Sequence, residues 1–176
     1  TLYGFICHIT FVLSGSCMFW VLYNGFTVSL GSVKYPFSII INIFLLLQFP
    51  ILHSFLLSNP GRRFLRVFAP RNYAKTLETT IYATIASTQL LLLFLLWTPS
   101  NIVIYDLKYP FNVLNILFFI LGWILLGISS FQAGYKVQTG SLGWTSMFLS
   151  EKPKFPPMPI NGLFKLIRQP IYLSFC

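Results

Sequence analysis

Four long stretches of the chain, roughly 4–24, 38–57, 79–97 and 113–131, consist almost wholly of apolar residues. Each matches the length of about 20 residues that a helix needs to cross the hydrocarbon core of a bilayer. No charged residue falls between Thr1 and Val33, Tyr35 and Gly61, Thr79 and Ile104, or Tyr109 and Tyr135. A fifth apolar run starts near Gln169, and the chain holds only its beginning. The predicted fold class is all-α: a multi-pass transmembrane helix bundle of four complete spans plus the start of a fifth. Residues 1–176 are expected to form a single membrane domain.

Composition agrees with this reading. The 176 residues are 56% hydrophobic, 18% aromatic and only 9% charged, whereas a soluble domain carries about a quarter charged residues. The charges that remain are unevenly placed. Arg62, Arg63, Arg66, Arg71 and Lys75 follow the second span, and Lys136, Lys152, Lys154, Lys165 and Arg168 follow the fourth. The other two loops carry little: Lys34 after the first span, Asp106 and Lys108 after the third. Basic loops remain cytoplasmic, so the N-terminus and a 132–168 connector are expected on the cytoplasmic side of a bacterial inner membrane. The net charge of +9 suits anionic lipid headgroups. The bilayer is the expected partner and nucleic acid is not, because the basic residues hug span boundaries and form no separate patch. Within the connector, "EKPKFPPMP" (151–159) is too rich in proline for a helix and is expected to run extended.

The chain begins at Thr1 and ends at Cys176 inside an apolar run, and it is expected to be a fragment cut at both ends. Cys7, Cys17 and Cys176 all sit in apolar surroundings and form neither a CxxC pair nor a Cys/His cluster. Buried thiols are expected, with no disulfide framework and no metal site.

Polar residues inside spans mark interhelical contacts or sites. Glu78, Tyr82 and Gln89 lie at offsets of four and eleven, on one face of the third span. Glu78 stands at a helix start, where a carboxylate complements the dipole, so a capping role and a site role are both open. On the second span Asn42 and His53 are eleven apart, with Gln48 and a kink-forming Pro50 between them. His53, like His8 on the first span, lacks companions for a metal. In the fourth span Asn115, Gly122, Ser129 and Ala133 form a stripe read as packing. No catalytic acid, base or nucleophile is assigned: Asp106 and His53 are expected at opposite faces, which excludes a Ser-His-Asp arrangement.

The closing stretch, "NGLFKLIRQPIYLSFC" (161–176), places Arg168, Gln169 and Pro170 at the entrance of the fifth span. Gly162 permits backbone angles or a close approach denied to other residues. Pro170 suits the first turn of a helix, and Arg168 and Tyr172 are four apart. With the helix start they would make a small anion site. Arg168 is equally a positive-inside anchor reaching for headgroups, and spacing alone does not choose.

"GLFKLIRQPIYL" (162–173) resembles the Gly-x-Tyr-Arg-x-x-Arg-His-Pro-x-Tyr motif of integral-membrane methyltransferases of the isoprenylcysteine carboxyl methyltransferase type. Gly162, Arg168, Pro170 and Tyr172 match, Phe164 and Lys165 replace the Tyr-Arg pair, and Gln169 stands where the family has His. "LHSFLLSNPGRRFL" (52–65) and "LETTIYATIAS" (77–87) are similar to segments of the methanethiol S-methyltransferase and NnrU-like branch. There Leu52 stands for the usual Gln and Thr79 for the usual Arg.

This resemblance implies S-adenosylmethionine as cofactor, held at the cytoplasmic face by Gly162, Arg168, Gln169, Pro170 and Tyr172. His53, Glu78 and Tyr82 would face the bundle interior and the substrate. The implied reaction is methyl transfer to a small or lipophilic thiol, or to a carboxylate. A non-enzymatic NnrU-like accessory or permease component is the alternative. The family's second cofactor element lies beyond the closing motif, so the fragment is expected to be inactive. A thiol acceptor needs little base, which relaxes the need for a titrating residue at position 169.

Overall fold

The computed structural model describes residues 1–100, 102 and 106–175. All regular structure among them is helical. In chain order the helices are α1 (Leu2–Tyr23), α2 (Phe37–Leu57), α3 (Asn59–Val67), α4 (Glu78–Leu95), α5 (Phe111–Gln132), α6 (Tyr135–Gln138), α7 (Ser141–Phe148), α8 (Leu163–Leu166) and α9 (Pro170–Leu173). Four of them, α1, α2, α4 and α5, are long and apolar enough to cross a membrane, and each lies within two residues of a stretch predicted from hydropathy. Their outer faces are apolar as well: Ile40 is 65% exposed, Phe44 70% and Phe118 70%. Such surfaces are stable only against lipid or further protein. The chain is a multi-pass membrane protein.

Contacts divide the chain into two compact units, Thr1–Asn101 with Thr139–Lys154, and Ile102–Gln138 with Phe155–Cys176. In the first, α1 and α4 run parallel and pack extensively, and α2 lies antiparallel to α4. Beyond the far end of α1, Phe26 packs on Phe94 at 6.0 Å and on Trp97 at 4.7 Å. Cys7, near the start of α1, is buried and its thiol donates to the Thr139 carbonyl at 3.4 Å. Cys17 is half-buried. Cys176, read from the sequence as a buried thiol, lies outside the described residues.

The α2–α4 interface is held by a series of polar pairs. The Asn42 amide donates to the Thr98 carbonyl at 2.7 Å and its Oδ1 accepts from the Thr98 N–H at 2.9 Å. One stage further along, Gln48 donates to the Gln89 carbonyl and accepts from the Gln89 amide, both at 3.2 Å. His53 then meets Tyr82. Helix α2 continues through Pro50 without interruption, so Asn42, Gln48 and His53 all reach α4 or its exit. Each pair removes polar groups from lipid that would otherwise be unsatisfied. Replacing Asn42 by Leu strands both backbone groups of Thr98, which is 2% exposed. The expected loss is about 2 kcal/mol, to be read as an earlier transition in detergent-induced unfolding.

The stretch read as a connector contains a docked element. Gly140 takes φ +70°, and a Cβ there would stand 2.5 Å from the Ala83 methyl and 2.8 Å from the Cys7 sulfur. Only glycine fits both the backbone angle and the contact. From this corner α7 packs on α4 and α1. Thr80, fully buried, donates to the Gly140 carbonyl at 2.6 Å and accepts from the Trp144 N–H at 2.9 Å. The Trp144 indole donates to Nε2 of His8 at 3.0 Å, which gives that histidine a structural partner. From 151 to 160 the chain has no helix, as its prolines require.

In the second unit, α8 and α9 pack on α5. Gly122 stands beneath the Ser174 carbonyl, and Ser129 is fully buried. Asn115, placed on the same packing stripe by its spacing, is exposed.

Candidate functional site

The corner joining α2, α3 and α4 concentrates chemistry in the first unit. Ser58 closes α2 and opens α3, its hydroxyl accepting from the Gly61 N–H at 3.3 Å. The turn delivers Leu65 (1% exposed) into a cluster with Leu56, Leu77 and Ile81. Burying that side of α3 aims Arg62 and Arg66 at the first residue of α4. Arg66 binds Oε2 of Glu78 through Nε and Nη2, both at 3.0 Å, and Arg62 Nε lies 3.6 Å from Oε1. Glu78 therefore serves as the carboxylate at a helix start and as the counter-ion that ties α3 to α4.

One turn along α4, the Tyr82 hydroxyl lies 2.6 Å from Nε2 and 3.0 Å from Nδ1 of His53. The two rings are tilted with centroids 5.1 Å apart, and the Phe49 ring lies 5.2 Å from the imidazole, also tilted. The structure thus joins His53 to Tyr82 directly and places Glu78 one turn away on the same helix. Arg62 and Arg66 complete this group; the sequence reading treated them only as loop charge.

In the second unit the closing stretch is built on Gln132, the last residue of α5. Gly162 adopts φ +64°, and the space its Cβ would fill is held by the Gln132 amide at 2.6 Å. Oε1 of Gln132 accepts from the Leu163 N–H at 2.8 Å, satisfying the first turn of α8. Gln132 was missed from the sequence, where its one signal was an amide at a span end. Helix α9 starts at Pro170, which is buried. Arg168 precedes the helix and Gln169 is its N-cap residue, so Arg168 does not share a helical face with Tyr172 as spacing alone implied. Arg168, Gln169 and Tyr172 are all exposed, and they gather a guanidinium, an amide and a phenol within five residues.

Comparison with known proteins bears on both regions. The chain is 24% identical over 184 residues to methanethiol S-methyltransferase of Pseudomonas sp. strain GM41, covering 99% of this chain and 67% of that protein. It is 29% identical over 139 residues to methanethiol S-methyltransferase 1 of Bradyrhizobium diazoefficiens, covering 78% of this chain and 47% of that protein. The enzyme of that name from Crocosphaera subtropica is 26% identical over 191 residues, covering 99% and 69%. The chain is related to the methanethiol S-methyltransferases. It spans between about half and two thirds of the length of these relatives. No family model and no solved structure matches it.

Two stretches that resemble this branch, 52–65 and 77–87, meet at the His53–Tyr82 contact, and Arg66, the residue after the first, binds Glu78 in the second. The third, 162–173, is the segment seated on Gln132.

Proposed function

We propose that this protein transfers a methyl group from S-adenosylmethionine to a small thiol at the cytoplasmic face of the membrane. The observation that carries the reading is the similarity to methanethiol S-methyltransferases along 99% of the chain.

The closing stretch suits the amino-acid end of such a donor. A carboxylate is best met by a guanidinium, which offers up to five N–H donors in a fixed fork, and Arg168 presents one at the surface. Gln169 and Tyr172 supply neutral donors beside it. The Gly162 backbone, fixed by Gln132, sets the start of the segment that carries them. When bound, the cofactor supplies a methyl carbon activated on a sulfonium. The chain's own task is then to bind and orient, because an in-line displacement that neutralises charge depends mainly on positioning. Gln169 cannot titrate, so no proton step is assigned to it. In the first unit, His53 and Tyr82 are a half-buried polar pair open to a small thiol, which loses its proton to water and attacks as the thiolate, and Glu78 with its arginines fixes the corner that holds them. The orientation proposed places the start of α1 and the basic stretches inside, where anionic lipid and the positive-inside rule favour them.

The test uses membranes containing the full-length protein, methyl-labelled S-adenosylmethionine and a panel of small thiols. Labelled methyl thioether is the expected product. Label appearing only on prenylcysteine carboxylates would reassign the acceptor, and no transfer to any acceptor would overturn the reading.

A further inference from the structure

Helix α3 was invisible as a helix in the sequence, where it formed part of a charged loop, and its three flanks differ sharply. Gly61 and Leu65 are buried on the inward stripe. Arg62, Arg63 and Arg66 occupy one outer flank. Pro60, Phe64 and Val67, at i, i+4 and i+7, occupy the other. Among the described residues that second flank is left uncovered: Phe64 is 48% exposed, Val67 77% and Phe68 52%, with the Phe64 and Phe68 rings packed edge-on at 5.2 Å. A helix with an apolar flank, an arginine flank and a position between two membrane spans has the pattern of an interfacial helix.

Charge selects the headgroup. Between Ser58 and Glu78 the chain carries five basic residues and one carboxylate. Glu78 accepts two hydrogen-bond-length contacts from Arg66 and a longer one from Arg62, which leaves most of the ten guanidinium donors of that pair uncommitted to it. The side chains of Arg62 and Arg66 are 53% and 36% exposed, and Arg63 and Arg71 are exposed too. Phosphate diesters are the membrane groups that match such forks.

We propose that α3 and the turn after it form a binding surface for anionic phospholipid. Phe64, Val67 and Phe68 enter the acyl boundary, and Arg62, Arg63, Arg66 and Arg71 hold headgroup phosphates. Because Arg62 and Arg66 also hold Glu78, a bound headgroup touches the same side chains that set the start of α4. Lipid binding here does not depend on methyl transfer, although Arg62 and Arg66 also brace the corner proposed for the thiol.

Native mass spectrometry of the full-length protein, released from mixed phosphatidylcholine and phosphatidylglycerol micelles, tests the headgroup part. Phosphatidylglycerol adducts are expected to dominate. Arg63→Gln and Arg71→Gln, which leave the Glu78 ion pair intact, should each weaken them about fivefold. Equal retention of both lipids, or adducts unchanged in the two variants, would overturn the proposal. The apolar part is read with Val67→Trp, a change at an exposed site. Lipids brominated high on the acyl chain should quench the added emission, and an added emission indifferent to them refutes the interfacial placement.

Discussion

Thr80→Val should cost about 3 kcal/mol in detergent-induced unfolding, while Thr80→Ser should cost under about 1 kcal/mol. The two substitutions separate shape from hydrogen bonding. Valine keeps the volume of threonine and loses its hydroxyl; serine keeps the hydroxyl and loses a methyl. Thr80 is fully buried, and its oxygen is shared between the Gly140 carbonyl and the Trp144 N–H at 2.6 and 2.9 Å. Removing it leaves two buried backbone groups without partners, each worth about 1–3 kcal/mol. Polar contacts between membrane helices are often weaker than this. This one, however, bonds a side chain to backbone at a glycine corner with no room for water, since Gly140 and Gly143 both press against α4. The loss should release α7 from α4 and α1 first. Faster amide exchange across 141–148 in Thr80→Val, with the α2–α4 pairs unchanged, would be its local mark. Equal behaviour of the two variants would show that packing alone seats α7.

This docking was the least legible part of the fold. The four spans are written in composition, because a run of about 20 apolar residues has few other stable fates. The face of α4 was also readable, since offsets of four and eleven bring Glu78, Tyr82 and Gln89 to one side of any helix. Their partners were not readable. That Tyr82 meets His53 and Gln89 meets Gln48 depends on the register of two helices, which a single sequence does not encode locally. "TGSLGW" (139–144) reads as loop because its glycines lower helix propensity, yet those glycines are what permit the close approach to Thr80. Arg62 and Arg66 read in the sequence as loop charge alone. Their bond to Glu78 follows only once α3 forms and Leu65 turns inward. Gln132 shows the same limit: one amide at a span end says nothing of the N–H it will meet 31 residues later.

Under the proposed function, Arg168→Ala should raise the apparent KM for S-adenosylmethionine ten- to a hundredfold, with a smaller change in kcat. A hydrogen bond to a charged group contributes about 1.5–3 kcal/mol and one between neutral groups about 0.5–1.5 kcal/mol, and every 1.4 kcal/mol is a factor of ten. Tyr172→Phe, which removes one neutral donor and no charge, should raise KM less than Arg168→Ala does, and Arg168→Lys should also fall short of Arg168→Ala because a point charge replaces a fork. Gln169→Glu should be worse than Gln169→Ala, since a second carboxylate would repel the one being held, and added salt should relieve the difference. These orderings do not follow if Arg168 serves only as an anchor to headgroups. An anchor would leave KM for the donor unchanged and show itself in membrane insertion, with Lys as good as Arg. A KM series that follows hydrogen-bonding capacity at position 168, in protein inserted to the same extent, separates the two roles.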